Sequence, residues 1–371
     1  MRVGLDGRAF ASPAAGVRRY VAELSAALLA LDEPPELVAL GGPSAERLPA
    51  GIAHEPEPWH PPTNLGWTLA GVPAAARRAG VDLIHAPAYT APSHVGVPVV
   101  VTIHDVSYER WPEWYPYRRD PIRRWFYRRS ATGADQIVTD SEFSRSEIVA
   151  AYGVPVERIS VVPLGVDVSM FSPGLPSKTV PEDAPSGPYL LHVGDLHPRR
   201  NLTVVIKALG ELGRRASRPP LLVLAGVDRG AGEDLDATAR AEGVGHCIVR
   251  LGPVKSDRLV SLYRGAAALV YPSRYDGFGL PLLEAMACGT LVIAADAASI
   301  PAVVGAAGLL LDPENPLAWA EAIDGIGDDS GHYQQLRSAG VSRAAEFTWR
   351  RTAASMLDLY RRVMSRVTDA A

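Results

Sequence analysis

The sequence predicts an α/β protein built as two doubly wound, Rossmann-like domains, each a parallel sheet covered by helices on both faces. Three observations carry this expectation. The chain has 371 residues, which at ~150 residues per domain accommodates two. Short apolar runs alternate with helical patterns from the N-terminus onward, and that alternation implies βαβ units with parallel strands. The alternation stops at a segment, residues 172–188, that carries five prolines and almost no apolar period, and then restarts.

Taken in order, Arg2 to Leu5 reads as a strand, and a turn with Pro13 and Gly16 leads into a helix. Val17, Tyr20, Val21, Leu24, Leu28 and Leu31 line one face of that helix. Strands follow at Leu37–Leu40, Leu83–His85, Val99–Ile103, Gln136–Thr139 and Ile159–Val162, with helices over Thr63–Ala79 and Ser144–Tyr152. Ser144 and Glu147 have the spacing of a capping box, which places a helix start there. In the second half, strands are expected at Tyr189–Val193, Leu221–Ala225, Ile248–Leu251 and Ala268–Tyr271. Helices lie between them at Leu202–Leu212, near Leu235–Ala241 and at Asp257–Tyr263. The division is therefore an N-terminal domain over 1–170, a linker over 171–188, and a C-terminal domain over 189–371 whose last helix, about 350–367, packs back on the first domain. Ligands of open parallel sheets bind beyond the carboxyl ends of the strands, so the cleft between two such domains is the expected site.

Composition removes several function classes. Hydrophobic residues are 47% and charged residues 21%, enough for a large core. The net charge of −4 provides no field for nucleic acid, so phosphate affinity has to be local. Lysine occurs only at Lys178, Lys207 and Lys255, none after a glycine, which excludes a P-loop. Cys247 and Cys288 stand apart without CxxC spacing, as expected of a reducing cytosol, and the charged N-terminus MRVGLDGRAF does not read as a signal peptide. No metal centre is expected. Asp234 to Asp236 (DLD) lies in a helical stretch, and His192 and His197 lack further ligands. No GxGxxG follows a strand, which removes the sequence support for a dinucleotide oxidoreductase.

The segment Tyr271 to Gly289, YPSRYDGFGLPLLEAMACG, carries the densest chemistry. A strand ends at Tyr271, a polar loop holds Asp276, and Gly277, Gly279 and Pro281 precede an apolar helix. Glycines before a helix start let backbone amides point at an anion, and the helix dipole adds to the attraction. Pro281 suits a first helical turn. Asp276 and Glu284 flank that start and are placed to face one ligand. Arg118 to Arg129 interleave with Trp125, Phe126 and Tyr127, and on a helical wheel the arginines spread around the circumference instead of forming a dedicated membrane face.

Taken together, these motifs resemble retaining glycosyltransferases of the GT-B fold, specifically glycosyltransferase family four. The family carries an acidic residue, seven residues and a Glu, which here is Asp276, GFGLPLL and Glu284. VGDLHPRRNL at 193–202 resembles its phosphate loop, LGPVKSDRLVSLYRGAAALVYPS at 251–273 its base-binding region, and GVRRYVAEL at 16–24 its first glycine loop. VTIHD at 101–105 resembles the strand end that presents a His, and LGVD at 164–167 the end of the first domain. The chain departs from the family pattern at two positions: Asp276 where Glu is commoner, and Arg200 where Lys is commoner. Each also has a purely structural reading: Asp276 as a turn cap, Glu284 as a solvated helix residue, His104 as a carbonyl partner, and Arg199 and Arg200 as solvated loop residues.

The resemblance implies transfer of a sugar, of mannose or glucose type, from a nucleotide-diphosphate sugar to a hydroxyl acceptor, with no cofactor and no metal. It implies His104 and Asp276 at the reacting sugar, with Gly277, Phe278 and Gly279 around it. Gly16, Arg199, Arg200, Gly279 and Leu280 would hold phosphate, and Glu284 and Val254 the nucleoside. The enzyme is expected in the cytoplasm, with peripheral contact at the inner membrane face when the acceptor is lipid-linked. An epimerase or hydrolase of the same fold, or a non-catalytic sugar-nucleotide-binding subunit, are the alternatives.

Overall fold

In the computed structural model, the described residues are all but 58–62, 94, 116–119, 176–187, 216–217, 328–330 and 371, with only the backbone described for 327 and 367–370. They divide into two units, Met1–Gly165 with Trp349–Ala371, and Val166–Thr348.

The first unit holds seven strands: β1 (Arg2–Asp6), β2 (Glu36–Leu40), β3 (Ala53–Glu55), β4 (Leu83–Ala86), β5 (Val99–Thr102), β6 (Gln136–Thr139) and β7 (Ile159–Val161). Their spatial order is β3-β2-β1-β4-β5-β6-β7 and every pairing is parallel. Val3 sits opposite both Leu37 and Leu83, so β1 is a central strand. Val99, Val100 and Val101 are fully buried, as continuous apolar runs must be when helices cover both faces of a parallel sheet. The helix Trp349–Ala370 belongs to this unit. It buries Trp349, Ala353, Met356, Tyr360 and Val363, a spacing of three and four that marks one helical face. Each large apolar side chain so buried contributes about 1.5–3 kcal/mol.

The second unit holds β8 (Tyr189–Val193), β9 (Leu221–Ala225), β10 (Ile248–Gly252), β11 (Ala268–Tyr271), β12 (Leu291–Ala295) and β13 (Leu309–Leu311), in the order β10-β9-β8-β11-β12-β13, again all parallel. In each sheet the strand order reverses once, between β1 and β4 and between β8 and β11. Beyond the carboxyl ends at such a reversal the connecting loops splay apart and leave a crevice.

The structure differs from the sequence expectations in four places. Strands β3, β12 and β13 had no counterpart there. β12 follows a helix after the turn at residues 288–290, where Gly289 has φ +75°, a helix-stop signal that the expectations above did not use, and β3 and β13 are only three residues long. The helix expected from Ser144 starts instead at Glu142, capped by Ser141, whose Oγ accepts from Ser144 N at 3.1 Å. Ser144 is buried and donates to the carbonyl of His104 at 2.9 Å, while Glu147 pairs with Arg110.

The helix expected over Thr63–Ala79 is interrupted by a wide turn at Trp67–Gly71. The buried Trp67 ring lies where a Cβ on Gly71 would stand, 2.0 Å from Cε3. The second unit begins at Val166 and ends at Thr348, and Arg264 Nε donates to Ser172 O at 2.8 Å, so residue 172 is packed rather than part of a linker. Most of the expected linker lies outside the described residues. On the helix Pro121–Gly133, Arg123, Arg124, Arg128 and Arg129 are all exposed and spread around the helix at about 100° per residue, while Phe126, Ser130 and Ala131 are buried; Arg118 and Arg119 lie outside the described residues.

Candidate active site

The loop after β8 is shaped by backbone constraints. Gly194 has φ +133°, and a Cβ on Gly226 would stand 1.9 Å from the Gly194 carbonyl oxygen, so the two loops touch through their backbones. The chain then makes a short turn at Pro198–Arg200, capped by His197 Nδ1, which accepts from Arg199 N at 3.3 Å. Asn201, in a left-handed conformation, donates to Pro313 O at 2.8 Å and starts the helix Leu202–Arg214. Arg199 and Arg200 are thereby fixed at the carboxyl end of β8.

The neighbouring strand β11 delivers Tyr271 and Asp276 to the same crevice. Arg200 Nη1 donates to Tyr271 Oη at 2.5 Å, to Ser273 Oγ at 3.1 Å and to Asp276 Oδ2. Tyr271 donates its hydroxyl proton to the same Oδ2, and Asp276 Oδ1 accepts from Gly277 N at 3.1 Å. Burial by itself would raise the Asp276 carboxyl. The Arg200 guanidinium, with Arg199 and the Tyr271 hydroxyl, overrides it and holds the group below the ordinary carboxylate range. Burial likewise opposes the charge on Arg200, and Asp276 restores it. A desolvated ion pair is tolerable only with this many hydrogen bonds. The sequence placed Asp276 on the sugar and Arg200 on phosphate; the structure joins the two to each other.

Gly277, Phe278 and Gly279 are buried, and Gly279 reaches φ +99° before the helix Leu280–Ala287, with Pro281 in its first turn. Leu280 is therefore the first helical residue, as expected. Glu284 is 3% exposed and accepts from Tyr263 Oη at 2.8 Å on Oε2. Asp276 and Glu284 thus have different protein partners. Phe278 packs edge-on against Phe347 at 5.9 Å. Val254, half-buried, lies in the loop between β10 and the helix Ser256–Gly265.

In the first unit, His104 follows β5. Its Nδ1 lies 2.8 Å from Asp140 Oδ2 and its Nε2 3.2 Å from Pro87 O, so both nitrogens face acceptors. Burial opposes the imidazolium, but Asp140 outweighs it and the pKa rises above 6.5. Tyr20 stands edge-on to the imidazole at 4.7 Å. Beneath lies a buried chain that sequence reasoning missed. Tyr360 Oη meets His85 Nδ1 at 2.7 Å, His85 Nε2 meets Thr102 Oγ1 at 2.8 Å, and Thr102 meets Tyr20 Oη at 3.0 Å. Burial pushes His85 down to about 3, so it is neutral. A histidine inside the apolar strand LIHA was the available signal. Gly16, expected in a glycine loop, lies in the first turn of the helix Ala15–Leu29, with open space where a Cβ would be.

Asp236, of the DLD segment, accepts from Arg250 Nη2 at 2.8 Å. Among the described residues no three His, Cys, Asp or Glu side chains stand together as a metal site.

Two units, each a doubly wound parallel sheet with one reversal of strand order, are the architecture of the GT-B class of glycosyltransferase. A family model described as Glycosyltransferase Family 4 matches residues 14–170, and one described as Glycosyl transferases group 1 matches residues 178–343. The O-antigen chain mannosyltransferase B of Escherichia coli is 33% identical over 287 residues, covering 75% of this chain and 74% of the relative. Two solved structures share the fold. Sucrose-phosphate synthase from Thermosynechococcus elongatus has a TM-score of 0.78 at 22% identity, over 99% of this chain and 100% of the other. Anabaena HepE in complex with UDP-glucose has a TM-score of 0.72 at 19% identity, over 97% and 99%. The chain belongs to the group 1, family 4 glycosyltransferases.

Proposed function

We propose that the enzyme transfers a sugar of mannose or glucose type from a nucleotide-diphosphate sugar to a hydroxyl acceptor with retention of anomeric configuration, in the synthesis of a glycan, a glycolipid or a glycosylated metabolite. The observation that carries this reading is the crevice between β8 and β11, where Arg200, Asp276 and the Gly279–Leu280 helix start converge. Breaking the anomeric C–O bond leaves a diphosphate whose growing charge has to be met by fixed donors. Arg199, Arg200 and the amides at Gly279 and Leu280 provide such donors, and Gly16, at its own helix start, adds an amide.

Glu284 accepts from the ribose hydroxyls, and Val254 lies against the base. Asp276, Gly277, Phe278 and Gly279 surround the sugar. His104, held by Asp140, contacts the sugar from the first unit. The acceptor hydroxyl then attacks on the face the leaving group vacates and passes its proton to the departing phosphate oxygen. The mannosyl and UDP-glucose relatives favour the donor class.

No step needs a cofactor, and arginine and helix amides take the place of a divalent ion. Activity is therefore expected to survive EDTA; complete loss restored by manganese would contradict metal independence. Peripheral contact with the inner face of a cytoplasmic membrane is favoured by exposed Trp111, Ile122 and Trp125 beside Arg128 and Arg129, an arrangement suited to an anionic interface. No described helix is long and apolar enough to cross a membrane. A thermal-shift screen of UDP-, GDP- and ADP-sugars tests the donor reading, because a ligand of the native state raises the midpoint with its affinity. Stabilisation by one of them is expected, and a flat response to all would refute it.

A further inference from the structure

We propose that Arg200 and Asp276 form one preset unit in which Asp276 is a positioning residue, turning the Nε–Nη2 edge of the arginine over Gly194 to grip the oxygens of a phosphate group. The ligand rests on the nucleotide-sugar reading above. The pairing itself does not.

The resemblance implies Lys at 200 and Glu at 276, and the chain departs at both. The structure shows that the two departures touch. The shorter carboxylate of Asp276 is met by the longer side chain of Arg200 across 76 positions of sequence. Nη1 takes all three of the oxygens from Tyr271, Ser273 and Asp276. That leaves the side-on edge of the guanidinium. Its Nε is buried and has no hydrogen-bond partner. A Cβ on Gly194 would lie 3.8 Å from Nε and 3.9 Å from Nη2, so this edge borders the space that Gly194 leaves open. A Cβ there would meet only ordinary contacts, so it is the backbone of Gly194, at φ +133°, that disfavours a side chain.

A buried donor with no partner is destabilising, and its persistence at a strand reversal marks a place completed by a ligand. Two parallel N–H groups match two oxygens of one phosphate. An ammonium could neutralise a carboxylate at 276, but its three N–H groups offer no planar edge to match two oxygens of one phosphate.

His192 borders the same space. Its Nε2 would lie 3.8 Å from the Gly194 Cβ and is also without a partner. Nδ1 lies 3.2 Å from Val270 O and donates to it, which leaves Nε2 an acceptor. It therefore takes a hydroxyl or water proton beside the phosphate and does not hold the anion itself.

The test measures UDP and GDP affinity by calorimetry, with thermal unfolding as the control for folding, on Asp276→Asn, Arg200→Lys and the double variant Arg200→Lys/Asp276→Glu. Neither nucleotide carries a sugar, so a residue that touches only the sugar leaves these affinities unchanged. Asp276→Asn is expected to weaken the nucleotide that binds by about tenfold, as loss of a charge-assisted positioning bond would. Arg200→Lys is expected to weaken it similarly, and the double variant to be no weaker than Arg200→Lys alone, because without the guanidinium there is no edge left for the carboxylate to position. Wild-type affinity in folded Asp276→Asn, or a double variant as weak as the product of the singles, would overturn the proposal while leaving the donor reading intact. A wild-type protein that binds neither nucleotide nor any sugar nucleotide would overturn the donor reading and the phosphate assigned to the edge with it.

Discussion

Replacing Glu284 by Gln separates what the second unit needs for folding from what it needs for the nucleoside. Glu284 is buried on the helix Leu280–Ala287 and accepts from Tyr263 Oη at 2.8 Å. The amide keeps the volume and an oxygen for that bond, and it removes a buried charge that is costly to desolvate. Thermal stability should therefore stay level or rise. Binding should move the other way. Hydrogen bonds to a charged acceptor contribute about 1.5–3 kcal/mol against about 0.5–1.5 kcal/mol for neutral ones, so losing the charge under two ribose hydroxyls costs roughly 1.5 kcal/mol or more. That is about a tenfold fall in affinity or greater. Isothermal calorimetry with the preferred nucleoside diphosphate, on protein whose midpoint has been checked by thermal unfolding, reads both. Unchanged affinity in a folded variant would refute the ribose assignment. Parallel loss of stability and affinity would show that Glu284 acts through the core alone.

Three further outcomes are expected. The His104–Asp140 pair should make stability pH-dependent. Because the folded pKa of His104 is raised, its contribution is complete below the unfolded value near 6.5 and is lost as pH rises through the folded value. Urea midpoints should thus fall on the alkaline side in the wild type, and Asp140→Asn should flatten that slope; an unchanged slope would remove the ion pair as its cause. Tyr360→Phe should cost about 1–3 kcal/mol in urea unfolding, because it leaves buried His85 Nδ1 without the 2.7 Å bond. A loss below a few tenths would show that the chain from Tyr360 to Tyr20 contributes nothing. Trp125→Ala with Ile122→Ser should reduce co-sedimentation with vesicles rich in phosphatidylglycerol and leave binding to phosphatidylcholine vesicles low. Equal sedimentation of wild type and variant would argue against this surface as the membrane contact.

The sequence reveals most where burial is strongest. The strands Val99–Thr102 and Ala268–Tyr271 are buried on both faces, so their apolar runs stand out from the helices around them. Leu291–Ala295 is as fully buried, and the turn at residues 288–290, with Gly289 at φ +75°, separates it from the equally apolar helix Leu280–Ala287; that glycine was the available signal. Ser141 and Ser144 show the limit of capping patterns. Both suit a helix start, and the choice falls to Ser141 because Ser144 is drawn inward to the His104 carbonyl. The candidate site was legible as residue types, in Asp276, Glu284, Arg199, Arg200 and His104. Its connections were not. Arg200 finds Asp276 at a distance of 76 residues and His85 finds Tyr360 at 275, and such pairings follow from strand order rather than from local spacing.

The most direct measurement is proton NMR of the purified enzyme with an α-linked sugar nucleotide and a hydroxyl acceptor, following the anomeric signals as nucleoside diphosphate appears. Nucleoside diphosphate released in step with a new α-glycosidic signal, and only with acceptor present, is the expected result. A β-linked product would contradict retention. Free or epimerised sugar formed without acceptor would contradict transfer and identify the chain as a hydrolase or epimerase built on the same fold.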